Sequence, residues 1–147
     1  MSSKVIDSTV HKTYEWLETV SGNLAGNVER DTSYNLLRAV LHTLRDRLTV
    51  DSAAHLGAQL PMLIRGLYYE GWHPSHKPLK IRHADEFVDL VEEQLSPELI
   101  DVVSGIGAVF RALEQHLDPG AIDKLLSTMP NELRELWRES QSGSRFA

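Results

Sequence analysis

No cysteine occurs in the 147 residues. Disulfides, zinc–thiolate centres and cysteine nucleophiles are excluded, and a reducing, cytoplasmic setting is the expectation. A run of 18 apolar residues is also missing, so no helix is expected to span a membrane. The opening MSSKVIDSTVHKTYEW lacks the apolar core of a secretory signal. Its start at Met1, without a tag, is what a complete natural chain would show. There is no basic excess: the formal charge is −6, which favours solubility and argues against non-specific nucleic-acid binding. No segment alternates as a strand would. Dinucleotide, P-loop, nucleophile-elbow and HExxH signatures are absent. The neighbouring Glu92 and Glu93 point about 100° apart on a helix and make no acid/base pair.

What is present is helical periodicity from end to end. A first helix is expected over 3–21, followed by a Gly/Asn-rich break through Gly26. Asp31 is expected to cap a helix to about Leu48, with Leu37, Val40, Leu41, Leu44 and Leu48 as its stripe. Thr49 caps a short helix through Leu56, and Pro61 opens another to about Tyr69. Residues 70–82, EGWHPSHKPLKIR, read as the longest loop. A helix over 83–94 follows. Ser96-Pro97-Glu98 then signals the start of a long helix, Asp118-Pro119 that of a short one, and Pro130 that of a last helix ending near Trp137. The tail 138–147 is polar and expected to be mobile.

Two halves of the chain align without a gap at a shift of 69 residues. Between 39–68 and 108–137, eight of thirty positions are identical, where chance gives roughly two. Ala39/Ala108, Leu44/Leu113, Leu48/Leu117, Pro61/Pro130 and Arg65/Arg134 are among them. Thr49 and Asp118 align as caps, and Tyr68/Trp137 keeps a large ring. The fold expected is therefore all-α: a helical bundle of about eight helices made from two pseudo-symmetric four-helix units. It forms one domain over 1–137, with repeats at roughly 5–69 and 83–137 linked by loop 70–82.

The runs LRDRL (44–48), AAHLGAQLP (53–61) and RGLYYEGW (65–72), with the closing LLSTMPNELRELW (125–137), resemble the bacterial family called domain of unknown function 2267. The resemblance covers about 5–137 and is most specific over 37–78. It implies a helical, repeat-built bacterial protein. It implies no activity, no cofactor and no catalytic residue.

The candidate surface is the 70–83 segment: Tyr69, Trp72, His73, His76, Lys77, Lys80 and Arg82. From Gly71 to His83 it carries three cations and no acid. With its aromatics it suits an anion or an acidic protein face, or it is simply a linker whose Trp72 plugs the core. His73, His76 and His83 are imidazoles within one segment, but the intervening prolines argue against metal-ligating geometry. No resident metal or cofactor is expected. Arg65 and Arg134 suggest a structural ion pair across the repeat, with Glu18, Glu92, Glu93 or Glu135 as partner. The leading expectation is a non-enzymatic protein-interaction or scaffold module, acting on an unknown protein partner or by self-association, with the 70–83 loop and the Tyr68–Trp72 aromatics as its contact. Membrane is excluded as a partner, and nucleic acid is disfavoured. The alternative is a binder of a small anionic ligand, with its pocket between the two helical units.

Overall fold

A computed structural model of the chain describes residues 3–26, 28–76, 78–96 and 101–141, without the His76 side chain. Eight α-helices lie among them: α1 (Lys4–Gly22), α2 (Arg30–Arg47), α3 (Val50–Ala58), α4 (Met62–Tyr69), α5 (Ala84–Glu93), α6 (Val102–His116), α7 (Pro119–Ser127) and α8 (Asn131–Gln141). A single 3₁₀ turn, Pro74–His76, interrupts the 70–83 segment. No described residue is in a strand.

The two long inner helices are enclosed on nearly every side. From Ala39 to Arg45, every α2 residue is buried, and in α6 the same holds from Gly105 to Phe110. α2 and α6 pack on each other and the other helices surround them, so even the polar His42, Thr43 and Arg45 of α2 are enclosed. α1 lies on α2, α4 and α6; α5 lies on α2, α6 and α8; α3 touches α4 and α7. One continuous apolar core joins the bundle, with Phe110 stacked on Trp137 at 4.3 Å and tilted against Phe87 at 5.9 Å.

Local signals set most of the ends. The Thr49 hydroxyl accepts from the Ser52 N–H, and the Asp118 carboxylate accepts from the Gly120 N–H. Pro119 occupies the first turn of α7. Four ends differ from expectation, Pro130 standing just before α8 as Pro61 does before α4. α2 begins at Arg30 behind Glu29, which makes no side-chain cap, so Asp31 lies in the first turn instead. Pro61 stands just before α4 rather than inside it, with extended backbone, and its carbonyl accepts from the Arg65 N–H. A proline cannot cap with a side chain; the first turn of α4 is capped instead by the Thr9 hydroxyl of α1, which accepts from the Leu63 N–H at 3.0 Å. Finally, α8 runs past Trp137 to Gln141, because Arg111 donates to the Ser140 carbonyl at 3.0 Å and Ser140 is buried. The expected start signal at Pro97 lies outside the described residues, and α6 starts at Val102, capped by Asp101.

Candidate functional site

The C-terminus of α4 organises the 70–83 segment. A helix end leaves four carbonyls without partners, and α2 supplies donors for them at steps of four and three. His42 Nε2 meets the Leu67 carbonyl at 2.6 Å. Arg45 Nη1 donates to the carbonyls of Tyr68 (2.8 Å) and Glu70 (2.9 Å), while its Nε donates to Asp46 at 2.7 Å. Arg38 pairs with the Glu70 carboxylate at 3.3 Å. Burial pushes the His42 imidazole below its ordinary value, over the opposing pull of its bond to Leu67. The segment then runs back over α2, where the Leu79 N–H donates to the Asp46 carbonyl at 2.8 Å and Ile81 is buried.

The aromatic expectation divides three ways. Tyr68 is fully buried and donates to the Ala53 carbonyl at 2.7 Å; burial pushes its phenol well up. Tyr69 is half-buried and lies over Gly57, where a Cβ would stand 2.7 Å from its Cζ. Trp72 is half-buried, 5.4 Å from the Tyr69 ring, and its buried indole N–H has no partner among the described residues. The expectation that Trp72 helps plug the core is met in part, since it packs against the core edge.

The polar candidates do not converge. His73, Lys80 and Arg82 are exposed, and Lys77 lies outside the described residues. The His83 ring is taken by Glu132 of α8 at 2.7 Å, a bond that raises the imidazole and lowers the carboxylate. Among the described residues, no three His, Cys, Asp or Glu side chains gather as a metal site would require. The expected ion pair at Arg65 and Arg134 is corrected. Arg65 donates to the carbonyls of Gly57 (3.0 Å) and Leu60 (2.9 Å), capping the end of α3, and Arg134 bonds the Asn131 side chain. Orphan carbonyls at a helix end suit a guanidinium fork without a carboxylate.

Two surfaces escaped the sequence reading. The first is an exposed apolar group at one end of the α1–α4 contact: Val5, Ile6, Met62 and Leu63. Thr9, which holds Leu63, lies one turn from Val5 and Ile6. The buried stripe of α1, namely Thr9, Thr13, Trp16, Leu17 and Val20, continues at helical spacing into Val5 and Ile6, which are exposed. That continuation was the available signal.

The second surface is a small, open cleft between α3 and α7. Ser52, His55, Leu56 and Gln59 form one wall, with Leu48 at its end. Ala121, Lys124, Leu125 and Thr128 form the other. Four of these pairs are 69 residues apart, so the repeat alignment held the signal.

The chain matches the model of an uncharacterized conserved protein family, DUF2267, over residues 13–136. It belongs to that family, as the resemblance implied. Comparison with curated proteins gives no match. No helix among the described residues is long and apolar enough to cross a membrane.

Proposed function

We propose that this member of the DUF2267 family is a non-enzymatic protein-interaction module, one domain of two related four-helix units at 5–69 and 83–137 joined by 70–82. Several equivalences at the 69-residue shift support the two units. α3 and α7 are each nine residues long and open on a side-chain cap. His42 and Arg111 occupy matching positions, and each reaches a carbonyl near the end of the fourth helix of its unit. The matched pairs Arg45–Tyr68 and Glu114–Trp137 are both hydrogen-bonded. Packing across the units is also reciprocal: α1 lies on α6, and α5 lies on α2. A cytoplasmic place for the module rests on its cysteine-free composition.

The observation that carries the interaction reading is the uncovered group Val5, Ile6, Met62 and Leu63, whose exposures are 62%, 54%, 53% and 39%. Apolar side chains scattered singly need no explanation; a cluster continuing a core stripe marks a contact. The occupant is an apolar helix face, from a second copy or from another protein. The basic 70–83 segment then lies on a separate face and contributes charge rather than apolar contact.

The test is a double variant, Ile6→Glu/Met62→Glu, compared with the wild type by sedimentation over a wide concentration range and by pull-down. Both positions are exposed, so helix content should not change. The wild type is expected to self-associate or retain partners that the variant loses. A monomeric wild type whose retained proteins are the same as the variant's would end the proposal.

A second reading, a binder of a small anionic ligand held between the units, is supported by the α3–α7 cleft, whose two walls come one from each unit.

A further inference from the structure

We infer that the outer face of α4 binds a second copy of this chain through the same face. This rests on the interaction reading and names the partner. The sequence of α4, MLIRGLYY, has a single charged residue. Its inner face, Ile64, Leu67 and Tyr68, is buried, and α4 packs on α1, α2 and α3. Its outer face carries Met62, Gly66 and Tyr69 at steps of four and three, with Leu63 beside them. Met62, Leu63 and Gly66 are exposed and Tyr69 is half-buried. A helix that is hydrophobic all round belongs in an interior; here one side of it meets water.

The second half of the chain supplies the comparison. At the 69-residue shift, Met62, Gly66 and Tyr69 correspond to Asn131, Glu135 and Arg138 of α8, and all three of these are exposed. The same helix position is thus dressed for water in α8 and for an apolar partner in α4. Gly66 sharpens the contrast. Glycine inside a helix is costly next to alanine, and a Cβ at Gly66 would meet nothing within 4 Å. No contact among the described residues requires this glycine, unlike Gly57, whose space the Tyr69 ring occupies. Its use is then to let a neighbour from outside the chain come close to the helix.

The face is complementary to itself. Met62 is a long exposed side chain, and Gly66 leaves a hollow one turn further along the same face. A twofold axis across α4 sets Met62 of each copy over Gly66 of the other and runs the two helices antiparallel. The charges fit the same arrangement. Glu70 ends α4, exposed, where the helix dipole is already negative, and Arg38 at 3.3 Å offsets part of this. The first turn of α4 has no acid, so the positive start of one copy's α4 meets the negative end of the other's. The opposing effect is Arg65, on the flank of the face. Its guanidinium is folded back onto the Gly57 and Leu60 carbonyls, so the end of α3 takes up its charge.

The size of the face sets the strength. Stable dimers bury about 800 Å² on each partner, from about 20–30 residues. Two turns of α4 with Val5 and Ile6 at the edge fall well short of that. The dimer is therefore expected to form reversibly, with a dissociation constant of about micromolar or weaker.

The test is sedimentation equilibrium of the full chain from about 1 µM to about 1 mM, with thermal melts of each variant at the low end, where the monomer dominates. The wild type is expected to dimerise reversibly. Gly66→Ala should stabilise the monomer, raising Tm by about 3–5 °C, and yet weaken the dimer by about tenfold. Gly66→Gln, another good helix former, should abolish dimerisation without unfolding the chain. Glu135→Ala, at the matching position of α8, should leave dimerisation unchanged. A dimer that Gly66→Ala leaves intact or strengthens overturns the inference, as does one that Glu135→Ala weakens equally. A Gly66→Ala chain less stable than the wild type also overturns it, because the fold itself would then need the glycine. A wild type that stays monomeric throughout overturns the second copy as partner. The interaction reading falls with it only if pull-down also finds no protein that Ile6→Glu/Met62→Glu loses; a protein held by the wild type and lost by that variant puts a different partner on this face.

Discussion

Replacing Arg45 by methionine tests how the end of α4 is held. The residue is 4% exposed and its side chain makes three hydrogen bonds, two of them to carbonyls at and just beyond the end of α4. Hydrogen bonds to a charged group contribute about 1.5–3 kcal/mol each. The three share one side chain and do not add. Glu70 is exposed, so water can recover its carbonyl, whereas the Tyr68 carbonyl is enclosed. Methionine matches most of the volume and restores none of the bonds. The expected loss is about 3 kcal/mol, comparable to breaking a buried ion pair from one side. For a chain of this size that corresponds to a fall in Tm of about 6–12 °C. Arg45→Lys should lose nearly as much, because one ammonium cannot span two carbonyls and a carboxylate. Urea melts give the free energy. Hydrogen exchange gives the location: amides from Glu70 to Leu79 should lose protection before the core does. If Arg45→Met is within about 0.5 kcal/mol of wild type, the helix end does not need the guanidinium and the reasoning fails.

Gly57→Ala gains about 1 kcal/mol of helix propensity, yet its Cβ would stand 2.7 Å from the Tyr69 ring. We expect a net loss of about 1–2 kcal/mol from the displaced ring. In a Tyr69→Ala background the same change should become stabilising, and a loss of equal size there in chemical melts would refute the clash. His42 sets an acid limit. Its imidazole is held below its ordinary value by burial, so as pH falls below about 6.5 the unfolded chain takes the proton first and stability drops, levelling off only beneath the folded pKa. His116, stacked on Trp16 and lowered by partial desolvation, acts in the same direction. The stability from the raised His83 is present at low pH and lost as pH rises, and that from its lowered partner Glu132 is lost as pH falls. Thermal melts at about pH 7.5 and about pH 5.5 should show a smaller difference for His42→Gln than for wild type; an unchanged difference removes His42 as the cause.

The helices were legible because local rules govern them. Thr49 and Asp118 cap as read, and the stripe Leu37, Val40, Leu41, Leu44 and Leu48 is buried throughout. What escaped was partnership at a distance. Thr9 looks like a polar residue on a helix face, and only tertiary contact makes it the cap of α4. Arg38, His42 and Arg45 share one face of α2, which reads as a solvated charged edge until α4 ends against it. The weight placed on residues 70–83 followed composition, and composition does not show that Tyr68 is interior or that His83 is engaged by Glu132. Val5 and Ile6 continue the buried face of α1, and Met62 and Leu63 precede the buried Ile64, so their exposure is set by what the rest of the bundle does not reach.

The reciprocal packing of α1 on α6 and α5 on α2 also bears on biosynthesis. Asn23, at the end of α1, donates to the Ala108 carbonyl of α6 at 3.1 Å and so belongs in space to the later half of the chain. As the chain leaves the ribosome, α1 to α4 emerge first, and the faces of α1 and α2 that receive α6 and α5 stay open to water until those helices follow. The nascent first half is thus held short of its final packing by the order of synthesis, and the molecule closes only when α5 and α6 have both arrived.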